Sequence, residues 1–471
     1  MSATKNRVRC VFFHGIGGIG MSALAHYYHA QGCIVFGYDR SPAITTAMLE
    51  AKGVQIMYTD QESLLPQQFI SIPVDEVLVV ITPAIPAESS LLSFFKKQSY
   101  TIYKRSEALG KICAGGYSVT VAGTHGKTTT STLLTHILLT AGYHTTAFLG
   151  GISNNLESNY VLSTGTQQQE SESVLRPYVA EADEFDRSFL TLHPHAGIIT
   201  SIDPDHLDIY GSASAFAESF QRFVEGHQPR ALIVYHESLS GKLNLHNFRG
   251  FTYSLSAEAD FSAELIEQKG YGQKFKLIGP LASGTVFYLT MPGRHNLENA
   301  LAASALSLLM GVDVEALGKA LSSFKGIHRR FEKVAENKRL VYIDDYAHHP
   351  TEISACLSSL RSCYPGRYLT VIFQPHLYSR TAHFMEAFAE ALSKCDELVL
   401  MDIYPAREKP MPGITSSVLL DLIRLKNKSL KSPEEIKAMA GNFKEGVLVS
   451  LGAGDIDQLV EPLRKMIKGE A

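Results

Sequence analysis

The stretch Tyr117–Gly142, YSVTVAGTHGKTTTSTLLTHILLTAG, constrains what this chain can fold into more than any other. Ser118-Val119-Thr120-Val121 is a β-branched run suited to a buried, pleated strand. It breaks at Gly123-Thr124-His125-Gly126, and an apolar helical pattern (Leu133, Leu134, Ile137, Leu138) then runs to a stop at Gly142. A strand, a glycine loop and a helix opening on Lys127-Thr128 are the parts of a phosphate cradle. Loop amides and the helix N-terminus face the anion, Lys127 neutralises its outer phosphates, and Thr128 offers a hydroxyl to Mg²⁺. The general pattern has a further glycine where this chain has Val121, with Gly123 inside the loop instead. The alternative is an ordinary strand-to-helix turn that happens to hold Gly-Lys-Thr.

The 471 residues suggest about three domains of roughly 150 residues each. A hydrophobic content of 45% with 19% charged residues is that of a soluble globular protein. A net charge of −4 gives no reason to expect nucleic acid, so anionic ligands would be met by local basic groups. Cys10, Cys33, Cys113, Cys356, Cys363 and Cys395 form no CxxC pair and no metal-ligand spacing, which fits reduced thiols and the cytoplasm. No apolar run approaches the roughly 20 residues of a membrane span, so no membrane insertion is expected.

In chain order, Arg7–Phe13 reads as a first strand, followed by His14 and the turn Gly15-Ile16-Gly17-Gly18-Ile19-Gly20 before a helix over 21–30. Gly15, Gly17 and Gly20 have dinucleotide spacing, and Asp39 ends the next strand where a ribose hydroxyl would be held. The contacts are general: any nucleoside diphosphate satisfies them, NAD among others. Strand–helix alternation continues to Gly115-Gly116. After the phosphate loop, one apolar strand leads into Glu181-Ala182-Asp183-Glu184 and another into Asp203-Pro204-Asp205-His206. Acids and His at such strand ends are where metal ligands would sit, although a charge cluster is more often a solvated strand end. The segment 231–290 is strand-rich and offers no chemistry. Asn296 reads as the N-cap of a helix over 300–310, or as a hydrogen-bonding partner for an adenine edge. Gly326–Phe331 reads as a link to a third alternating region, whose strand ends bear Asp344-Asp345-Tyr346-Ala347-His348-His349, Gln374-Pro375-His376 and Gly452-Ala453-Gly454-Asp455.

Together these residues resemble the Mur ligase family over nearly the whole chain. The motifs are HGIGGIGMS (14–22), GTHGKTTT (123–130), EADE (181–184), DHLDIY (205–210), GRHNLENALAA (293–303), GIHRRFE (326–332), DDYAHHPTE (344–352) and FQPHLYSRT (373–381). Each is weak alone; eight in order are specific. The resemblance implies an α/β chain of three domains: a Rossmann-like domain for a UDP-sugar (1–115), a central ATP-binding P-loop domain (116–327) and a Rossmann-like amino-acid-binding domain (328–471). The likeness is to members that join L-alanine to the lactyl carboxylate of UDP-N-acetylmuramate, with ATP as substrate and Mg²⁺ as cofactor, in cell-wall synthesis. It assigns Gly15, Gly17, Gly18, Ile19, Gly20, Met21, Ser22 and Asp39 to the UDP-sugar. ATP falls to Gly123, Thr124, His125, Gly126, Lys127, Thr128 and Thr129, with His295, Asn296 and Asn299 at adenine, Arg329 reaching phosphate and Asp345 near the nucleotide. Thr128 with Glu181 would hold one Mg²⁺ and His206 a second. Tyr346 and Arg380 would meet the amino acid, and His348 is a candidate base.

Three departures stand out. Leu377 replaces an Arg often present in the alanine-adding branch, no Lys lies between His206 and Lys242 to be carbamylated, and the diaminopimelate-type Asp-Asn-Pro-Arg signature is missing. The alternatives are a related ligase that attaches a whole tripeptide, a nicotinamide dehydrogenase that would leave GTHGKT and EADE idle, and a non-catalytic nucleotide sensor.

Overall fold

The computed structural model describes residues 8–470 apart from 84, 87, 163–174, 205–206, 256–257 and 407. The chain divides into two compact units. One comprises residues up to 264 with 277–285 and 299–323; the other comprises 265–276, 286–298 and 324 onward.

The first unit contains two sheets built by the expected alternation. Its N-terminal sheet has five parallel strands in the order Gln55–Met57, Ile34–Tyr38, Cys10–His14, Val77–Ile81, Thr101–Lys104. The first strand is central, so the order reverses beside it and a crevice opens at its carboxyl end. His14 closes that strand rather than opening the turn as its sequence position suggests, pairing in register with Tyr38 and Ile81.

From Arg249–Ser254 onward within this unit, the second sheet runs Arg249–Ser254, Leu232–His236, Ala196–Ile199, Tyr117–Ala122, Pro177–Ala182, Thr146–Ser153, Ser158–Leu162, and these strands are parallel except at the last pair. Tyr117–Ala122 is buried from Ser118 onward, as a strand covered on both faces must be. Ala122 pairs with Ala182 on one side and Ile199 on the other. That register brings three strand ends side by side: Gly123–Gly126, Asp183-Glu184 and Thr200–Asp203. Helix Lys127–Thr140 is buried from Thr128 to Leu138 and ends, as its sequence predicts, just before Gly142 at φ +83°.

The other unit centres on a six-stranded sheet ordered Glu332–Glu336, Leu340–Asp345, Gly446–Leu451, Tyr368–Phe373, Glu397–Leu400, Lys428–Leu430. Only its first pair is antiparallel. It also holds an antiparallel pairing from Gln273 opposite Leu289 to Lys276 opposite Val286. The α/β class with parallel sheets agrees with the sequence. None of the six cysteines forms a disulfide, and only Cys33 is not fully buried.

Candidate active site

The phosphate loop is shaped by two glycines that no other residue could replace. Gly123 has φ +135° and Gly126 has φ +78°; a Cβ on the first would lie 2.0 Å from Thr200 Oγ1, and on the second 2.3 Å from Asn299 Oδ1. Gly126 is the left-handed N-cap of the helix and offers no side chain, leaving the first-turn amides to a ligand. The neighbouring strand end laces the loop in place. Thr200 Oγ1 donates to His125 O at 2.5 Å, Ser201 Oγ accepts from His125 N at 3.1 Å, and Thr124 Oγ1 donates to Asp203 O at 2.7 Å.

Lys127 Nζ donates to Gly123 O at 2.5 Å and lies 2.9 and 2.8 Å from the two carboxylate oxygens of Glu184. The Lys127 side chain is 13% exposed and that of Glu184 3%. Burial works against the charge on Lys127, but Glu184, Glu181 and Asp183 outweigh it and its pKa is raised. Burial pushes Glu184 up to about 7 against the pull of the ammonium. Tyr210 Oη donates to Glu184 O at 2.6 Å and fixes the backbone there. Beside this pair, Thr128 Oγ1 donates to Glu181 Oε2 at 2.9 Å. A hydroxyl and a carboxylate oxygen side by side are hard donors of the kind Mg²⁺ takes. Among the described residues no three His, Cys, Asp or Glu converge as a metal centre. His206, expected at a second Mg²⁺, lies outside the described residues.

At the glycine turn of the N-terminal sheet, Gly15 takes φ +90°, and its amide and that of Ile16 donate to Tyr38 O at 2.7 and 3.0 Å. Asp39 Oδ2 accepts from Gly17 N at 2.7 Å and Oδ1 from Arg40 N at 2.7 Å. Asp39 therefore braces the turn itself. Helix Ile19–Ala30 follows, with Gly18 at its N-cap and Met21 and Ser22 buried in its first turns.

In the other unit, Arg329 adopts φ +60° and its Nε donates to Asp344 Oδ2 at 3.0 Å, its Nη2 to Gly452 O at 2.7 Å. Asp345 is enclosed: Oδ2 accepts from Phe331 N and Oδ1 from Ala347 N, each at 2.7 Å, and burial pushes its carboxyl up to about 6. Tyr346 faces the Arg329 and Arg330 guanidinium groups at 5.3 and 5.0 Å. His348 meets the Tyr346 ring edge-on at 5.4 Å. His348 Nδ1 lies 3.0 Å from Tyr346 O, so it carries the proton and leaves Nε2 a bare base. Burial pulls His348 down to about 4, Glu352 opposing and Arg380 reinforcing, so it is neutral at pH 7. Arg380 sits half-buried in helix Tyr378–His383.

One expectation is corrected. Helix Arg294–Leu309 starts before Asn296, which lies inside it and donates from Nδ2 to Pro292 O at 2.7 Å; it is not the N-cap. Burial pulls His295 of the same first turn down to about 4, and its Nδ1 is 3.4 Å from Ser359 Oγ. Asn299, one turn on, lies against Gly126 of the phosphate loop.

Two residues that hold this machinery were not singled out by the sequence analysis. Glu184 sits in the quoted EADE tract without a role, and Asp344 in DDYAHHPTE likewise. A signal existed for Glu184: an acid just past a buried strand, beside a strand leading to a lysine, needs a cation.

A strand-loop-helix phosphate cradle, a glycine turn at a second parallel sheet and an Arg–Asp–His cluster at a third define a nucleotide-dependent enzyme built in parts. Three family models match consecutive parts of the chain: Mur ligase family, catalytic domain at 11–117; Mur ligase middle domain at 121–307; and Mur ligase, glutamate ligase domain at 329–456. The chain belongs to the Mur ligase family.

Among curated relatives, the UDP-N-acetylmuramate–L-alanine ligase of Porphyromonas gingivalis is 47% identical over 462 residues, covering 97% of this chain and 99% of its own. That of Cytophaga hutchinsonii is 41% identical over 457 residues, covering 97% and 96%. The crystal structure of UDP-N-acetylmuramate–alanine ligase from Thermotoga maritima superposes with a TM-score of 0.81 at 27% identity, covering 98% and 100%. A murein peptide ligase from Psychrobacter arcticus gives 0.72 at 24% identity, a likeness of fold alone.

Proposed function

We propose that this protein joins L-alanine to the lactyl carboxylate of UDP-N-acetylmuramate, converting ATP to ADP and phosphate. The observation that carries the reading is the intact Lys127–Glu184 and Thr128–Glu181 arrangement, in a chain aligned nearly end to end with alanine-adding relatives. A carboxylate is a poor electrophile, so one of its oxygens attacks the γ-phosphorus and ADP leaves, giving an acyl phosphate. The neutral amine of alanine then attacks the carbonyl, loses a proton to a base, and phosphate departs.

Lys127 neutralises the β- and γ-phosphates, and the loop amides orient them. Thr128 and Glu181 are the residues that would hold Mg²⁺, which when bound lowers the charge of the phosphates. His206 is proposed for a second ion. Asp39 and the turn from Gly15 to Ser22 hold the nucleotide-sugar; His295, Asn296, Asn299, Arg329 and Asp345 serve the ATP side. His348, neutral with a bare Nε2, is the base. The reading places the protein in the cytoplasm, where both nucleotides are supplied.

Phosphate release from ATP with UDP-N-acetylmuramate, tried with each amino acid in turn, tests the proposal. Release should be fastest with L-alanine, slower but detectable with glycine and serine, and nearly nil with glutamate; a steric pocket discriminates by only about 1–3 kcal/mol per methylene. Preference for a tripeptide would favour the recycling-type ligase instead. The glycine turn is checked by calorimetry on the whole protein: UDP-N-acetylmuramate should bind and NADH should not, and tight NADH binding would overturn the assignment.

Arg380 supplies the fork that grips the alanine carboxylate, with Leu377 leaving no second Arg in the tract, and Tyr346 is the wall. Arg380→Lys should raise the alanine KM strongly and leave those for ATP and UDP-N-acetylmuramate nearly unchanged. A loss of stability with an unchanged alanine KM would show that Arg380 only supports the fold.

A further inference from the structure

Strand Thr146–Ser153 follows its neighbours only part of the way. Against Pro177–Ala182 its pairing ends at Phe148 opposite Ala180, one residue short of Glu181. Against Ser158–Leu162, Phe148 pairs with Tyr160 and Ser153 with Ser158, so the four residues 149–152 stand opposite Asn159 alone. This is a long bulge centred on Gly150-Gly151, and bulges beside active sites re-aim the side chains next to them. On its other side Glu181 is in regular register, opposite Val121 of the strand that leads to the phosphate loop.

Gly150 does not need to be glycine for its own backbone, because its φ lies outside the left-handed region. What excludes a side chain there is Glu181. The three heavy atoms nearest to a Cβ on Gly150 are the carboxyl atoms of Glu181: Cδ at 2.6 Å, Oε1 at 2.8 Å and Oε2 closer still. Oε2 is also the oxygen that accepts from Thr128 Oγ1 at 2.9 Å, in the first turn of the helix after the phosphate loop. The carboxylate thus rests against bare backbone while the Thr128 hydroxyl holds it. It is the far end of a long side chain with several rotamers, so a clash with it is relieved by turning that side chain and not by moving strands. A methyl group at position 150 would therefore cost the fold little and displace one functional group.

We propose that Gly150 is a positioning residue for Glu181: the space left by its missing side chain sets the carboxylate on Thr128 Oγ1, in the orientation in which the two groups take a divalent cation together. The inference rests on the proposed ligase reading. Orientation matters because Mg²⁺ tolerates little departure from octahedral geometry and takes only one or two carboxylates. Groups that orient a metal ligand commonly govern metal affinity by about 10–100-fold. Here the orienting element is an absent methyl in an irregular strand, where a regular strand would have brought a side chain onto the carboxylate.

The experiment uses the full chain with Gly150→Ala, Glu181→Ala and the double variant. ATP is titrated by calorimetry in EDTA and at a series of Mg²⁺ concentrations, with no other substrate present, which gives the Mg²⁺ dissociation constant of the ATP complex. Gly150→Ala should raise that constant about 10–100-fold, leave the ATP affinity in EDTA within about twofold and keep the melting temperature close to the parent's. In the Glu181→Ala background the same substitution should change nothing further, because the methyl then meets no carboxylate. An unchanged Mg²⁺ constant in Gly150→Ala overturns the inference. So does a further weakening in the double variant, or a melting temperature that falls in Gly150→Ala and is not restored in the double variant, since either places the effect of position 150 elsewhere than on Glu181. A parent chain that binds ATP with Mg²⁺ but releases no phosphate with UDP-N-acetylmuramate and L-alanine would count against the ligase reading instead, and Mg²⁺ affinity lost in Gly150→Ala would still uphold Gly150.

Discussion

Lys127→Ala is expected to lower the turnover of ATP by about 10²–10³, the usual effect of removing one cation or donor from developing charge. The variant also leaves Glu184, with 3% of its side chain exposed, without its cation, so a stability loss will accompany the rate loss. The two effects separate in the double variant Lys127→Ala/Glu184→Gln. Removing the stranded carboxylate restores the melting temperature, because Glu184 then needs no counter-charge, while turnover stays low because nothing meets the γ-phosphate. Turnover that recovers together with stability would show that Lys127 serves the fold alone. Glu184→Gln by itself should lower the ATP KM, since the lysine no longer has to leave a carboxylate to reach phosphate.

The second large effect is on stability. Arg329→Ala removes the guanidinium from Asp344, which is fully buried and also hydrogen-bonds Ser450 Oγ. Breaking one side of a buried pair costs about 3–5 kcal/mol. Burial raises the Asp344 carboxyl above its ordinary value, with Arg329 opposing. A carboxyl raised in the folded state stabilises at low pH and loses that contribution as pH rises. Without Arg329 the rise is larger, so the deficit of the variant should be greatest at neutral and alkaline pH and shrink as pH falls toward about 4. Urea titrations of parent and variant at several pH values check this. A deficit independent of pH would mean that Asp344 does not rely on Arg329. A variant as stable as the parent but slow in turnover would place the contribution of Arg329 in the chemistry.

The parallel α/β architecture was legible because its signals are local. Tyr117–Ala122 is a β-prone run rich in β-branched residues, Gly123–Gly126 breaks it, and Lys127–Thr140 resumes with helical spacing. Lys127, Thr128 and Glu181 were readable for the same reason, each lying beside a strand end. What the sequence did not show depends on register between strands far apart in the chain. Glu184 meets Lys127 only because Ala182 pairs with Ala122, and Thr200 laces the loop only because Ile199 pairs with it from the other side. Asn296 was misread because N-cap preference is a weak local rule. Gly293, at φ +93°, turns the chain early, the helix begins at Arg294, and Asn296 bonds back to Pro292 from within it. Asp345, expected near the nucleotide, also has both its oxygens on the amides of Phe331 and Ala347, a demand visible only once strand Leu340–Asp345 is placed.

The central claim is that ATP is used to phosphorylate the muramyl carboxylate before the amide forms. UDP-N-acetylmuramate labelled with ¹⁸O in its lactyl carboxylate tests it most directly, with mass analysis of the phosphate released in the presence of ATP and L-alanine. An acyl phosphate requires one carboxylate oxygen to leave with phosphorus, so each phosphate should contain one ¹⁸O from the sugar. Amide product accompanied by unlabelled phosphate would contradict the account.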